Sequence, residues 1–116
     1  ESKWAADIWL IFSEIGGEKQ ICFDDNKDII KLSIENGVNT EITGLMVNVI
    51  GTERAESFSL DDADVSKAGV YLTDLGYNID GNGEIRQVKI IPLITPFDEE
   101  VVCTEQALVA ESLRAC

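Results

Sequence analysis

The side chains best suited to specific chemistry lie in the segment NIDGNGEI, which begins at Asn78. Asn78, Asp80 and Asn82 offer oxygen atoms at alternate positions, as do the first ligands of a helix-loop-helix calcium site. Gly83 follows where such a loop needs glycine, but the twelfth position holds Lys89 instead of a bidentate glutamate. A Gly-Asn-Gly turn that closes a hairpin explains the same residues without metal. We expect this turn, and calcium coordination by Asn78, Asp80 and Asn82 is the alternative.

The chain contains no histidine, which limits the chemistry open to it. Ser-His-Asp and Cys-His nucleophile systems and histidine zinc ligation are thereby excluded. Acid–base catalysis would depend on carboxylates, and pairs such as Glu53 with Glu99 or Glu100 have no fixed separation of the kind that glycosidases need. We therefore expect a protein without enzymatic activity and without a required cofactor.

The net charge of −13 restricts the partners of this 116-residue chain. Its nine basic residues are scattered and form no patch. The negative field would repel phosphate backbones and anionic lipid head groups, so nucleic acid and anionic membranes are poor partners. No run reaches the roughly 20 apolar residues of a membrane-spanning helix. The acidity is typical of a soluble surface.

Three cysteines, Cys22, Cys103 and Cys116, lack the Cys-x-x-Cys spacing of zinc or redox sites. A disulfide is the sharper interpretation, because a bridge from Cys116 would pin the end of the chain. Of the three pairings, we prefer Cys103 with Cys116, which closes a short loop; Cys22 with Cys116 is the alternative and would tie two ends of the domain together. A disulfide favours an oxidising compartment, whereas three reduced thiols would serve as small apolar side chains.

Two runs at the centre of the chain, residues 28–35 and 42–51, alternate apolar and polar side chains. This period of two predicts two half-buried strands. The linking segment NGVNTE would let them share one sheet or cross between two. Further strands are predicted at residues 18–23, 56–60, 69–74, 84–94, 100–103 and 107–116.

The strand pattern predicts the fold class. About seven short strands at this spacing are typical of sandwiches, so we expect an all-β fold, with residues 18–116 forming an immunoglobulin-like antiparallel β-sandwich. Alternation slips at Ile90 and Ile91, and Pro92 cannot donate to a ladder, so a bulge or an edge position is expected there.

The first 17 residues have a different period. Apolar side chains recur at helical spacing and Gly16-Gly17 could cap a helix, which predicts an amphipathic N-terminal helix over residues 1–17. Trp9 and Leu10 fall off the apolar stripe, so a strand over residues 7–12 is the alternative. The stripe consists of Trp4, Ile8, Ile11, Phe12 and Ile15.

Four features together carry a family resemblance: Cys22, the stretch IKLSIENGVNTEITGLMVNVIG, the strand IRQVKIIPLI and the ending VVCTEQALVAESLRAC. With these features the chain resembles the soluble domains of archaeal type IV pilin-like secreted proteins. The resemblance implies an extracellular or cell-surface β-sandwich carried on a hydrophobic N-terminal helix that polymerises or anchors the domain. Residues 1–17 would be the polar remnant of that helix, so self-association and membrane anchoring would depend on upstream residues.

Three functions follow from these observations. The leading hypothesis is a non-catalytic structural subunit of an archaeal cell-surface filament, or a pilin-like surface protein. The alternative is a secreted binding or adhesion module with a calcium loop. An intracellular acidic interaction domain is the third, and it requires all three thiols to be reduced.

Overall fold

The computed structural model describes residues 8–61, 63–111 and 113–116, and these residues are mostly strand. The fold is all-β, as predicted. The twelve strands are β1 Leu10–Phe12, β2 Glu14–Ile15, β3 Glu18–Lys19, β4 Ile21–Asp24, β5 Ile29–Asn36, β6 Gly44–Gly51, β7 Ala55–Leu60, β8 Val70–Gly76, β9 Ile85–Ile94, β10 Val101–Val102, β11 Leu108–Ala110 and β12 Arg114–Ala115. Three short helical turns are α1 Ile79–Asn82 and the 3₁₀ turns Pro96–Asp98 and Thr104–Gln106.

The strands form two five-stranded sheets and a small hairpin. In the first sheet, β5 is central: β8 pairs with one edge, β1 and β4 share the other, and β12 runs parallel to β4. In the second sheet, β6 lies between β7 and β9, and β10 and β11 share the far edge of β9. Within the described residues, no helix is long and apolar enough to cross a membrane.

The two sheets share one hydrophobic core. Inward side chains of β5 and β6 are fully buried, including Ile30 and Ile34 from the first sheet and Val47 and Val49 from the second. Val88 and Ile90 of β9 join the same cluster. The alternation that the sequence shows is therefore the inside–outside alternation of each strand.

The connection between β5 and β6 crosses from the first sheet to the second, one of the two courses that the sequence allows. Asn36, at the end of β5, is buried, and its Nδ2 donates to the carbonyls of Thr40, Val65 and Ser66 at 2.7, 3.1 and 3.3 Å. The backbone pair Ile42 and Val65 adds an isolated bridge beside them. One amide thus ties two crossing loops to the end of β5.

The predicted N-terminal helix is wrong over residues 8–17, and residues 1–7 lie outside the described residues. Leu10 and Phe12 point into the core while Ile11 and Trp9 face outward, because β1 pairs with β5. Pairing with a distant strand overrides a local helical period here, since it buries Leu10 and Phe12. These residues share one core with the domain that was expected to begin at residue 18.

Gly16 and Gly17 form a tight turn instead of a helix cap. Their φ angles are 61° and 79°, and the flanking strands β2 and β3 pair as a hairpin through Glu14 with Lys19. Two consecutive positive φ angles match the twist of a two-residue hairpin, which explains the glycine pair.

Pro92 lies in the central part of the second sheet, opposite Leu45 of β6. On the side of β9 away from β6, no strand pairs with Pro92, because β10 pairs with Leu93 and Ile94 and β11 pairs only up to Ile90. The missing N–H of Pro92 therefore disrupts no strand ladder there. Pro92 therefore lies at a gap in the ladder and not at the expected bulge or open edge, because the Cys103 N–H donates to its carbonyl at 3.0 Å. The register shift of the β6–β9 pair occurs at Ile50 and Gly51.

The disulfide joins Cys22 to Cys116, which corrects the preference for Cys103 with Cys116. Parallel pairing of β12 with β4 brings the two Cα atoms to 5.1 Å, with an S–S distance of 2.02 Å. Cys103 instead lies in the core with no exposed surface, and its thiol faces the Val101 carbonyl at 3.9 Å. The pairing of β12 with β4, two strands far apart in sequence, thus determines which cysteines form the disulfide.

Replacing Asn36 with aspartate should destabilise the fold. The change removes the donor and places a carboxylate against three carbonyl oxygens, which should lower the free energy of unfolding by about 2–3 kcal/mol. Urea unfolding measures this loss. The matched control is Asn39→Asp, an exposed position of the same loop, which should change stability by less than about 0.5 kcal/mol. Equal losses for the two variants would contradict the role given to Asn36.

Candidate functional site

The candidate calcium segment lies in the corner between β8 and β9. The predicted hairpin is wrong, since β8 pairs with β5 of the first sheet and β9 with β6 of the second. The segment is a crossover between sheets that contains α1. It meets the loops that precede β5 and follow β6 at the same end of the molecule: Tyr77 N donates to the Asp28 carbonyl at 2.9 Å, and Glu53 N to the Asn82 carbonyl at 2.9 Å.

Two of the three predicted calcium ligands make hydrogen bonds within the protein. Asn78 Oδ1 accepts from the backbone N–H of Gly81 at 3.2 Å and so caps α1. Asn82 Nδ2 donates to Glu56 Oε2 of β7 at 2.9 Å. Asp80 lies exposed in the first turn of α1. The segment is therefore a capped helical turn hydrogen-bonded to its neighbours, and calcium coordination by these residues stays a prediction.

The acidic loop before β5 reaches the same end of the molecule. Asp24 Oδ1 accepts from the backbone N–H groups of Asn26 and Lys27 at 3.0 and 3.3 Å, so this carboxylate organises its own turn. Among the residues that the structure describes, no group of three or more acidic, cysteine or histidine side chains could hold a metal ion.

Tyr77 is the buried residue around which the loops of this corner pack, and the sequence analysis did not identify this role. Its side chain is 2% exposed, its hydroxyl donates to the Gly83 carbonyl at 2.7 Å, and its ring meets Phe23 edge-on at a centroid distance of 6.0 Å. Burial, and secondarily the negative charge of Glu56, raises the pKa of the Tyr77 phenol. The sequence signal that could have identified Tyr77 is an aromatic residue in a turn rich in glycine and asparagine.

Close packing explains two glycines around Tyr77. A Cβ at Gly51 would collide with the Tyr77 hydroxyl and the Asn82 carbonyl. Gly83 has a φ of 85°, and a Cβ there would collide with Thr52. Because neither glycine has a side chain, the β6–β7 loop can approach the corner closely. The NIDGNG motif therefore serves the packing of these loops against one another.

A large surface depression lies elsewhere, between the β2–β3 hairpin and the chain around β11 and β12. Its volume is about 720 Å³, and it opens widely to solvent. Arg114 Nε and Glu18 Oε1 form an ion pair at 3.0 Å on its wall. This exposed pair contributes little to stability, and the apolar walls come from Ile21, Val109 and Leu113.

The raised pKa of Tyr77 makes a testable prediction. Below the unfolded-state pKa near 10.0, wild type should exceed Tyr77→Phe in unfolding free energy by about 1 kcal/mol, because the variant loses the bond to Gly83. The folded-state pKa lies higher, so wild type loses stability relative to Tyr77→Phe as the pH rises through 10 towards that value. The difference in unfolding free energy between wild type and Tyr77→Phe, measured by urea unfolding, should be smaller at pH 10.5 than at pH 8.

The Tyr71→Phe variant is the control for that comparison, since it removes a phenol from β8 outside the corner. Its difference from wild type should not reproduce the narrowing. A gap between wild type and Tyr77→Phe that stays constant from pH 8 to pH 10.5 would contradict the account of Tyr77.

Calcium should not stabilise the protein more than magnesium does. Asn78 and Asn82 are held in place by hydrogen bonds to Gly81 and Glu56, and within the described residues no group of three acidic, cysteine or histidine side chains is placed to hold an ion. Melting curves in saturating calcium and in equal magnesium should coincide. A melting temperature several degrees higher in calcium alone, abolished by Asp80→Ala, would restore the calcium loop.

Comparisons of the chain with protein-family models, with curated proteins and with solved structures found no match. The functional interpretation therefore depends on the geometry of the chain itself.

Proposed function

We propose that this chain is a non-catalytic structural domain exposed at the cell surface, as a subunit of an archaeal filament or a pilin-like surface protein. The observation that carries the proposal is the Cys22–Cys116 disulfide. Disulfides persist in oxidising environments outside the cytoplasm. The bridge spans 94 residues of sequence, and in the chain-entropy picture a loop of that size contributes about 4–5 kcal/mol.

The position of the bridge suits a domain that must stay folded outside the cell. It attaches residue 116 to β4, and the Cys116 N–H also donates to the Phe23 carbonyl at 3.0 Å. The short strand β12 contributes only two residues of parallel pairing, which alone would fray. The covalent link therefore holds an edge that hydrogen bonds would hold weakly.

The proposal includes an immunoglobulin-like sandwich. In the order of immunoglobulin strands, β4, β5 and β8 take the places of A, B and E, while β7, β6 and β9 take those of C′, C and F, and β10 and β11 that of G. Tyr77 lies between the E and F equivalents, where immunoglobulin domains carry a tyrosine that bonds to backbone. Here its hydroxyl bonds forward, to Gly83.

The filament part of the proposal rests on the resemblance to pilin-like proteins. From Leu10 onward the described chain forms strands of the two-sheet body, so a polymerising helix would lie upstream of that residue. The net charge of −13 would keep the domains soluble and separate, leaving assembly to that helix.

Labelling of intact cells tests this function. A membrane-impermeant amine reagent applied to the source cells should modify exposed lysines such as Lys31 as fully as it does after lysis. Deletion of the chain should remove surface filaments or the surface protein that carries it, and re-expression should restore them. Labelling that requires lysis, or filaments unchanged by deletion, would contradict the proposal; a cytoplasmic protein serves as the lysis control.

A further inference from the structure

Four large apolar side chains are exposed together on the outer face of the first sheet. They form what we call the outer patch, with exposed fractions of 69% for Trp9, 43% for Ile11, 54% for Val70 and 72% for Leu72. Ile11, Glu35 and Val70 are register partners across β1, β5 and β8, so they point to the same face. Trp9 and Leu72 lie two residues along from Ile11 and Val70 and share that face. Several large apolar side chains exposed on one face of a sheet are typical of interaction sites.

The outer patch surrounds a carboxylate. Glu35 is half-buried between Ile11 and Val70, and Asp74 lies further along β8 on the same face. The one ion pair within the described residues joins Arg114 to Glu18, far from this row in the sheet order. Asp74 is the register partner of Lys31 on β5, but no ion pair joins these two described residues. Glu35 and Asp74 can therefore each offer a carboxylate to a basic group supplied from outside.

The patch adjoins an open strand edge. β8 pairs with β5 in unbroken register over seven residues, and no strand of the described chain pairs with its other edge. Between Val70 and Thr73 it has no charge, proline or bulge of the kind that protects edges. The long edge strand of the second sheet, β7, presents Ser57 and Ser59 outward.

We propose that β8 accepts a strand from another polypeptide, with an apolar residue opposite Leu72 and basic residues opposite Val70 and Asp74. Backbone pairing would extend the first sheet, as in other cases of strand addition. The basic residue opposite Asp74 forms a cross-strand charge pair, and the one opposite Val70 reaches over it towards Glu35. A second copy of this chain is a poor occupant, because both copies carry a charge of −13.

A defined peptide tests the proposal on the whole chain. The probe is Thr-Lys-Val-Leu-Val-Arg-Thr with blocked ends, which places Lys and Arg on the same face as Leu in a strand. Titration into ¹⁵N-labelled protein should shift the backbone amide signals of residues 70–76 saturably. The same peptide with glutamate for lysine and arginine, or with methylated amides facing β8, should leave these signals unchanged.

Point variants separate the contributions of the two carboxylates and of Leu72 to binding of the probe. Glu35→Gln and Asp74→Asn should each weaken the probe's binding by about two- to fivefold, the range of an exposed ion pair. Leu72→Lys should weaken it by about tenfold or more, through lost apolar contact and added repulsion. Val109→Lys, at an apolar position 39% exposed on the second sheet, is the matched control and should leave affinity unchanged.

Several results would overturn the inference. The inference is overturned if the amide signals of β8 do not shift, or if the glutamate peptide binds equally well. It is also overturned if Glu35→Gln and Asp74→Asn together leave the affinity for the probe unchanged. Concentration-dependent dimerisation that maps to β8 without peptide would assign the edge to a second copy instead. Surface labelling of the cells is independent of this test, so the two proposals can fail separately.

Discussion

The whole structure depends on one constraint, which is that β5 and β6 lie in different sheets and bury their inner side chains against one another. Ile30 and Ile34 on one side and Val47 and Val49 on the other have no exposed surface. Apart from the β2–β3 hairpin, every other strand belongs to one of these two sheets, and the loop between β5 and β6 must cross the open end of the core. Asn36 sets that crossing by donating to carbonyls of two loops.

Local pattern was enough to locate the strands of the central body. Period-two alternation predicts β5, β6 and β9 nearly to their ends, because β5 and β6 have one face in the core and β9 alternates up to Ile90, where both of its faces become buried. The first strand was only the alternative to a helix, for the opposite reason. Leu10 and Phe12 are buried through pairing with β5, about 20 residues later in the chain, and no local period reports that partner.

The corner at Tyr77 and the disulfide show the same limit. The sequence identifies NIDGNG as a special turn, but its role depends on Glu56 and Gly51, which come from a hairpin in the other sheet. The bridge likewise depends on the parallel pairing of β12 with β4. Composition restricted the pairing to three choices, and long-range topology selects Cys22 with Cys116.

Charge and edge chemistry connect this fold to its proposed life outside the cell. In the setting we propose, the acidic surface would favour solubility, the covalent bridge would resist local opening at the end of the chain, and the edge β8 would be open to the proposed basic strand. The disulfide and the proposed binding edge thus lie on opposite sides of the first sheet, since β12 and the bridge lie beyond β4 and β8 lies on the other side of β5.

The most direct measurement is a peptide map of the unreduced protein, isolated from its native compartment after thiols have been alkylated under denaturing conditions. The account predicts one linked peptide pair that contains Cys22 and Cys116 and separates on reduction. Alkyl groups on both Cys22 and Cys116, or a link from Cys116 to Cys103, would contradict it.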